Sequence, residues 1–397
     1  MFENISKKRL FFYAFIILTV ILVYIRLYHS VAINILDAEG VINHKSQDQK
    51  LISIDSENIE ECFGNIEYET YIFNTNLDKI SITQNKESTN QNKYILWFNG
   101  NNDSFCHPFI TKHFIEKGYD IYAIDFPTFG FAQDGTIYNY YNNYNQIKEY
   151  IHAIINLIDS KYKGSVIRIG YGHSTGGLIL LNYTKDYPKI FNKIILNSPL
   201  LDWYSTTSSE LIPAIVIPIL GIYSPKSDIT GFYGTLNLTS ISQLANDVRP
   251  YGYTIEYVKS VLERFVNTKM LSKEETLELN NHNERHCRYI ICEDYFSNYF
   301  LIVQSLFMRI RKSSINTPAL VLQSDKQSIA TETKLDLADY GIDAGDNSLD
   351  IKEIDLYSTK ILKNLTHNYI PEADHDVFYS KRESRELAIQ YVKEFLI

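Results

Sequence analysis

The sequence predicts an α/β fold: a mostly parallel sheet covered by helices on both faces, with one long insertion late in the chain. Three observations predict it. Short apolar runs alternate with helical stretches between residues 94 and 196. That rhythm stops after Pro199 and resumes at Ala319. Between two such elements stands a serine framed by glycines, Gly172-x-Ser174-x-Gly176.

The elements follow in order. Residues 66–73 and 80–83 alternate apolar and polar side chains, as a leading hairpin does, and 86–92 read as a polar turn. Residues 94–98 form a short apolar strand that ends in Asn99-Gly100. A helix over 109–117 stops at Gly118, and a strand over 119–125 follows. Residues 147–158 read as a helix and 166–170 as a strand. Residues 178–183 lie on a helix and 193–196 form another strand. Residues 201–315 lack strand rhythm. Their most apolar stretch, 211–223, is broken by Pro213 and Pro218 and is too short to span a bilayer. It is expected to belong to a cap over a site, with a membrane-facing lid as the alternative.

The N-terminus has a different character. Residues 10–25 are apolar except for Thr19, and extension to Tyr28 adds only Arg26, which can snorkel to the headgroups. About twenty such residues cross a hydrocarbon core. Lys7, Lys8 and Arg9 precede the run, and Asp37 and Glu39 follow it, which places the N-terminus on the cytoplasmic side. The expectation is a single-pass anchor over 1–29. A signal peptide cleaved near Ser30-Val31-Ala32, giving a secreted protein, is the alternative. Residues 30–60 read as a polar, irregular stalk.

Composition excludes some classes. With 45% hydrophobic and 21% charged residues, disorder is not expected. The net charge of −9 and the lack of a basic stripe beyond the N-terminus argue against a nucleic-acid partner. Cys62, Cys106, Cys287 and Cys292 lack paired zinc-site spacing. His282 and His286 would share a helix face beside Cys287, but Asn283 stands where a metalloprotease helix needs glutamate. No metal is expected.

The chemistry centres on Ser174. The chain must turn sharply from strand to helix there, and side chains at Gly172 and Gly176 would collide in that turn. The helix N-terminus beneath the serine stabilises negative charge. The competing reading is an ordinary N-capping serine. A nucleophilic serine needs a base and an orienting acid, in the order serine, acid, histidine for this kind of elbow. Asp325 follows the strand at 319–322, and His375 stands in a loop before the last helix. Asp336 and Asp374 compete for the acid's role, and His367 for the base's. The oxyanion donors expected are the backbone amides of Thr175, after the nucleophile, and Asn101, in the loop after the first core strand.

Residues 172–177 (GHSTGG), Asn197-Ser198-Pro199 with Leu201-Asp202, Ser324-Asp325-Lys326 and His375-Asp376-Val377-Phe378 together resemble the lysophospholipase and monoacylglycerol lipase group of α/β hydrolases, also grouped with the S33 serine peptidases. Residues 118–125 resemble the group's second core strand. The resemblance runs from Tyr94 to the C-terminus, with the insertion least similar. One residue departs from it: the group has His-Gly where this chain has Asn99-Gly100. The chain is expected to divide into a hydrolase core over 61–200 and 316–397 with a cap at 201–315 between, and from Tyr94 on the resemblance covers that core. It implies a serine hydrolase acting on acyl esters, from small molecules to monoacylglycerols and lysophospholipids, and needing no cofactor. A peptidase of the same superfamily and a catalytically inactive binding protein on this fold are the alternatives.

Overall fold

The computed structural model describes residues 17–18, 21–22, 29–45, 66–100, 105, 108–132, 140–141, 143–201, 226, 314–327, 349–373, 375–380 and 382–397. Among these, nine strands form a single sheet. They are β1 (Ile35–Lys45), β2 (Glu67–Thr75), β3 (Lys79–Asn85), β4 (Lys93–Phe98), β5 (Asp120–Asp125), β6 (Ile167–His173), β7 (Lys193–Asn197), β8 (Ala319–Ser324) and β9 (Leu365–Ile370). Their spatial order is β1-β2-β3-β5-β4-β6-β7-β8-β9. The first three pair antiparallel, and β3 pairs antiparallel with β5. From β5 to β9 every pairing is parallel.

The parallel strands are continuous apolar runs because both faces are covered. In β4, Tyr94 through Phe98 are all fully buried. Successive side chains point to opposite faces. Tyr94, Leu96 and Phe98 join the core under α2 (Tyr144–Asp159) and α3 (Thr175–Asp186). Ile95 and Trp97 join the core under α1 (Pro108–Glu116) and α5 (Arg382–Phe395). Trp97 stacks on Tyr171 of β6, with ring centroids 3.6 Å apart.

The helices follow their sequence signals. In α2, Ile147, Ile151, Ile154 and Ile158 recur at helical spacing and are buried, and the Asn143 side chain caps the first turn by accepting from Gln146 N. Asp350 caps α4 (Ile351–Ile361) by accepting from Lys352 N and Glu353 N.

The stretch read as an irregular stalk is corrected in part, because it contains β1. This edge strand is hard to see in sequence: its register against β2 shifts twice, and Leu36 and Val41 are exposed. The chain is already tied down before β1 begins. The Gln146 carboxamide accepts from Val31 N and donates to Val31 O, both at 3.0 Å. Asn76 donates to Ala32 O at 3.0 Å and accepts from Asn34 N at 2.9 Å.

Strands β7 and β8 pair directly, Ile194 opposite Ala319, so the long segment between them is inserted between neighbours. Residues 202–225 and 227–313, where the cap is expected, lie outside the described residues. So does most of the N-terminal apolar run. Among the described residues no helix is long and apolar enough to cross a membrane.

Candidate active site

Residues that follow the C-terminal ends of parallel strands gather along one edge of such a sheet, where ligands bind. Here these are Asn99 and Gly100 after β4, Ser174 after β6, Ser198 after β7, Asp325 after β8 and the loop at 371–377 after β9.

Ser174 joins β6 directly to α3. Its backbone sits at φ 50 and ψ −118, a region that L-residues avoid. Its surroundings hold it there. Ser174 N donates to Asn197 O at 3.0 Å, and Ser174 O accepts from Leu200 N at 2.9 Å. The hydroxyl makes no capping bond to the helix, which removes the reading of Ser174 as an ordinary N-cap. The flanking glycines are sterically required. A Cβ on Gly172 would lie 2.7 Å from Gly176 O, and one on Gly176 would land on the carbonyl oxygens of Phe98 and Asn99.

The loop after β4 passes over this elbow. A Cβ on Gly100 would stand 3.3 Å from Ser174 Cβ and 3.0 Å from His173 Nδ1. Backbone from that loop therefore reaches the serine, as an oxyanion loop must. Asn101 itself lies outside the described residues. Thr175 is buried and opens α3, so its amide is among those at the helix N-terminus.

Asn99 replaces the histidine of the resembling group, and the structure gives it a clear task. Its Nδ2 donates to Asp125 Oδ1 at 3.1 Å. The buried Asp125 also accepts from Ser81 Oγ at 2.6 Å and Phe131 N at 3.0 Å. The loop is thus tied to the end of β5. The sequence signalled only the departure at Asn99, not its partner.

His375 is buried and follows β9. Its ring lies beside that of His173, the residue before Ser174, with centroids 5.0 Å apart. Asp376 is buried as well, and its Oδ2 lies 3.8 Å from His173 Nδ1. The competitor His367 is placed differently. It stands within β9, 3.3 Å from Asp355 Oδ1, and burial lowers its pKa.

Asp325 stands after β8 as expected, but the structure does not bond it to the His375 imidazole. The residue is exposed, and its Oδ1 accepts from Glu372 N at 3.0 Å. The turn at 371–373 captures the carboxylate, so Asp325 grips the loop that carries His375 three residues on. Asp336 and Asp374 lie outside the described residues, as do His282, His286 and Cys287.

A mostly parallel sheet in this order, with a strained serine between strand and helix, defines an α/β hydrolase. The family model for serine aminopeptidase, S33 matches residues 93–378, and the chain belongs to that family. The fold is similar to that of a soluble variant of monoglyceride lipase from Saccharomyces cerevisiae, at 14% identity and a TM-score of 0.53, covering 82% of this chain and 93% of that one. It is also similar to monoacylglycerol lipase from Paleococcus ferrophilus, at 13% identity and a TM-score of 0.52, covering 80% and 98%. No curated protein sequence matches the chain.

Proposed function

We propose that the chain is a membrane-anchored serine hydrolase that cleaves acyl esters through an acyl-enzyme on Ser174. The observation that carries this reading is the strained elbow: the Ser174 hydroxyl is not spent on capping, and the loop at Gly100 passes close to the Ser174 Cβ. His375 takes the hydroxyl proton as Ser174 Oγ attacks the ester carbonyl carbon. The amides of Thr175 and Asn101 hold the oxyanion. The imidazolium returns the proton to the departing alcohol. Water, deprotonated by His375, then releases the acid and restores the serine. Asp325 orients the imidazole in this scheme.

The monoglyceride and monoacylglycerol lipases of similar fold favour a lipid-like ester. The family's name favours a second reading, an aminopeptidase. A panel of glycerol monoesters of rising chain length, run beside aminoacyl anilides, separates the two. Turnover of the esters and none of the anilides is expected; the reverse would establish the peptidase.

The anchor over 1–29 belongs to the same proposal. Ile17, Leu18 and Ile21 are helical and exposed, as lipid-facing residues are in the absence of lipid. The hydrogen bonds that seat Val31 and Ala32 on the core favour an uncleaved chain, since cleavage after Ala32 would remove both. Removing residues 1–28 is expected to move the protein from the membrane fraction to the soluble one with ester turnover unchanged. The readout is activity in the two fractions after ultracentrifugation, and a truncated protein that stays with the membranes contradicts the anchor.

A further inference from the structure

We propose that Asn197 is a positioning residue that sets the spacing between the serine and the histidine loop; this rests on the reading of Ser174 as nucleophile and His375 as its base. Asn197 ends β7 and is fully buried. Its main chain holds one partner: Asn197 O accepts from Ser174 N at 3.0 Å. Its side chain holds the other. Nδ2 donates to Asp376 Oδ1 at 2.7 Å, and Oδ1 accepts from Val377 N at 3.2 Å. These are the two residues that follow His375. Nδ2 also donates to Tyr171 OH at 2.9 Å, which ties the carboxamide to β6 as well.

The chemistry of each atom fits this task. An Asn side chain offers two N–H donors on one nitrogen and two acceptor sites on the oxygen. Here both donors are used, one on the carboxylate and one on the phenol. The carboxylate bond is charge-assisted and lies between buried groups, so it is strong and directional. Asp376 is braced from its own side by Phe378 N, which donates to Oδ1 at 3.0 Å, and by Ser380 Oγ, which donates to Asp376 O at 3.0 Å. The titratable neighbours on β6 are His173, whose Nδ1 is 3.8 Å from Asp376 Oδ2, and Tyr171, whose hydroxyl meets the same carboxamide. The loop on either side of His375 is therefore held from both strand ends. Ser324 Oγ at the end of β8 donates to Ala373 O at 2.7 Å, and Asn197 at the end of β7 grips residues 376 and 377. One residue that fixes the nucleophile's amide and the base's loop together removes a degree of freedom between them. Loosening that spacing by about 1 Å lowers turnover about a hundredfold.

Exchange of the two partners tests this. Asn197→Asp sets two carboxylates against each other and pushes the loop away. Its kcat is expected to fall about a hundredfold while KM stays put, because Asn197 touches no substrate. The double variant Asn197→Asp with Asp376→Asn reverses the pair. The carboxylate on β7 would still accept from Val377 N and Tyr171 OH, and the new amide on the loop would donate to it, at the loss of the bond from Phe378 N to the same position. Part of the lost kcat is therefore expected to return. If Asn197→Asp is not recovered folded, Asp376→Ala tests the pair from the loop side, with the same fall in kcat at constant KM. A folded Asn197→Asp or Asp376→Ala with wild-type kcat overturns the proposal, and so does a folded double variant no faster than Asn197→Asp. A His375→Ala enzyme with full turnover would instead remove the base assignment, whatever Asn197 does.

Discussion

Ser174→Ala is expected to lower turnover of a short-chain ester about a millionfold, close to the loss on removing the nucleophile of a serine protease. Three structural facts set so large an effect. The backbone at Ser174 is held at φ 50 by hydrogen bonds to Asn197 and Leu200, so the direction of its Cα–Cβ bond is fixed. The hydroxyl caps no helix amide, so its loss removes no structural bond. The positions packed around the turn are glycines, so the alanine variant keeps the elbow's shape. Stability is therefore expected to change little, and a urea titration beside the assay shows whether lost activity is lost chemistry. Residual turnover would come from the oxyanion donors and binding alone. A folded Ser174→Ala enzyme with substantial turnover would place the nucleophile elsewhere.

The second large effect concerns Asp325. Asp325→Asn is expected to lower turnover about ten-thousandfold, the loss measured when the orienting Asp of a serine protease becomes Asn. The substitution discriminates because of what the structure shows at that side chain. Asp325 accepts from Glu372 N, and asparagine keeps an oxygen that can accept the same bond. If the residue only grips the loop, Asn replaces it at little cost. If it orients the imidazole in the working enzyme, Asn fails, because it cannot stabilise the imidazolium and it holds the wrong tautomer. The measurement is kcat for Asp325→Asn beside Asp336→Asn and Asp374→Asn, each checked for folding. A mild Asp325 variant beside a crippled one at 336 or 374 moves the acid and leaves Ser174 and His375 in place.

What was legible in the sequence was local. The strand at 94–98, the glycine-framed serine and the apolar faces of α2 are set by periodicity and sterics over a few residues, and they stand where the pattern put them. β1 is not legible in the sequence because it is an edge strand with two register shifts and a broken alternation, so neither face carries a clean apolar pattern. Contacts between distant residues were not legible either. Asn197 finds Asp376 across 179 positions, and Asp325 finds Glu372 across 47. Only the assembled sheet brings these ends together. The Asn99–Asp125 bond belongs to the same class: the unusual residue was visible, and its partner 26 positions on was not.

The central claim is that one serine of this chain is a chemically activated nucleophile. A fluorophosphonate forms a covalent bond only with such a serine, through displacement of fluoride by Oγ. The decisive measurement is peptide mapping of the full-length protein by mass spectrometry after fluorophosphonate treatment. A single phosphonyl adduct on Ser174, absent from the folded Ser174→Ala and strongly slowed in His375→Ala, is the expected result. A folded wild-type protein that carries no adduct, or carries it on another serine, contradicts the account.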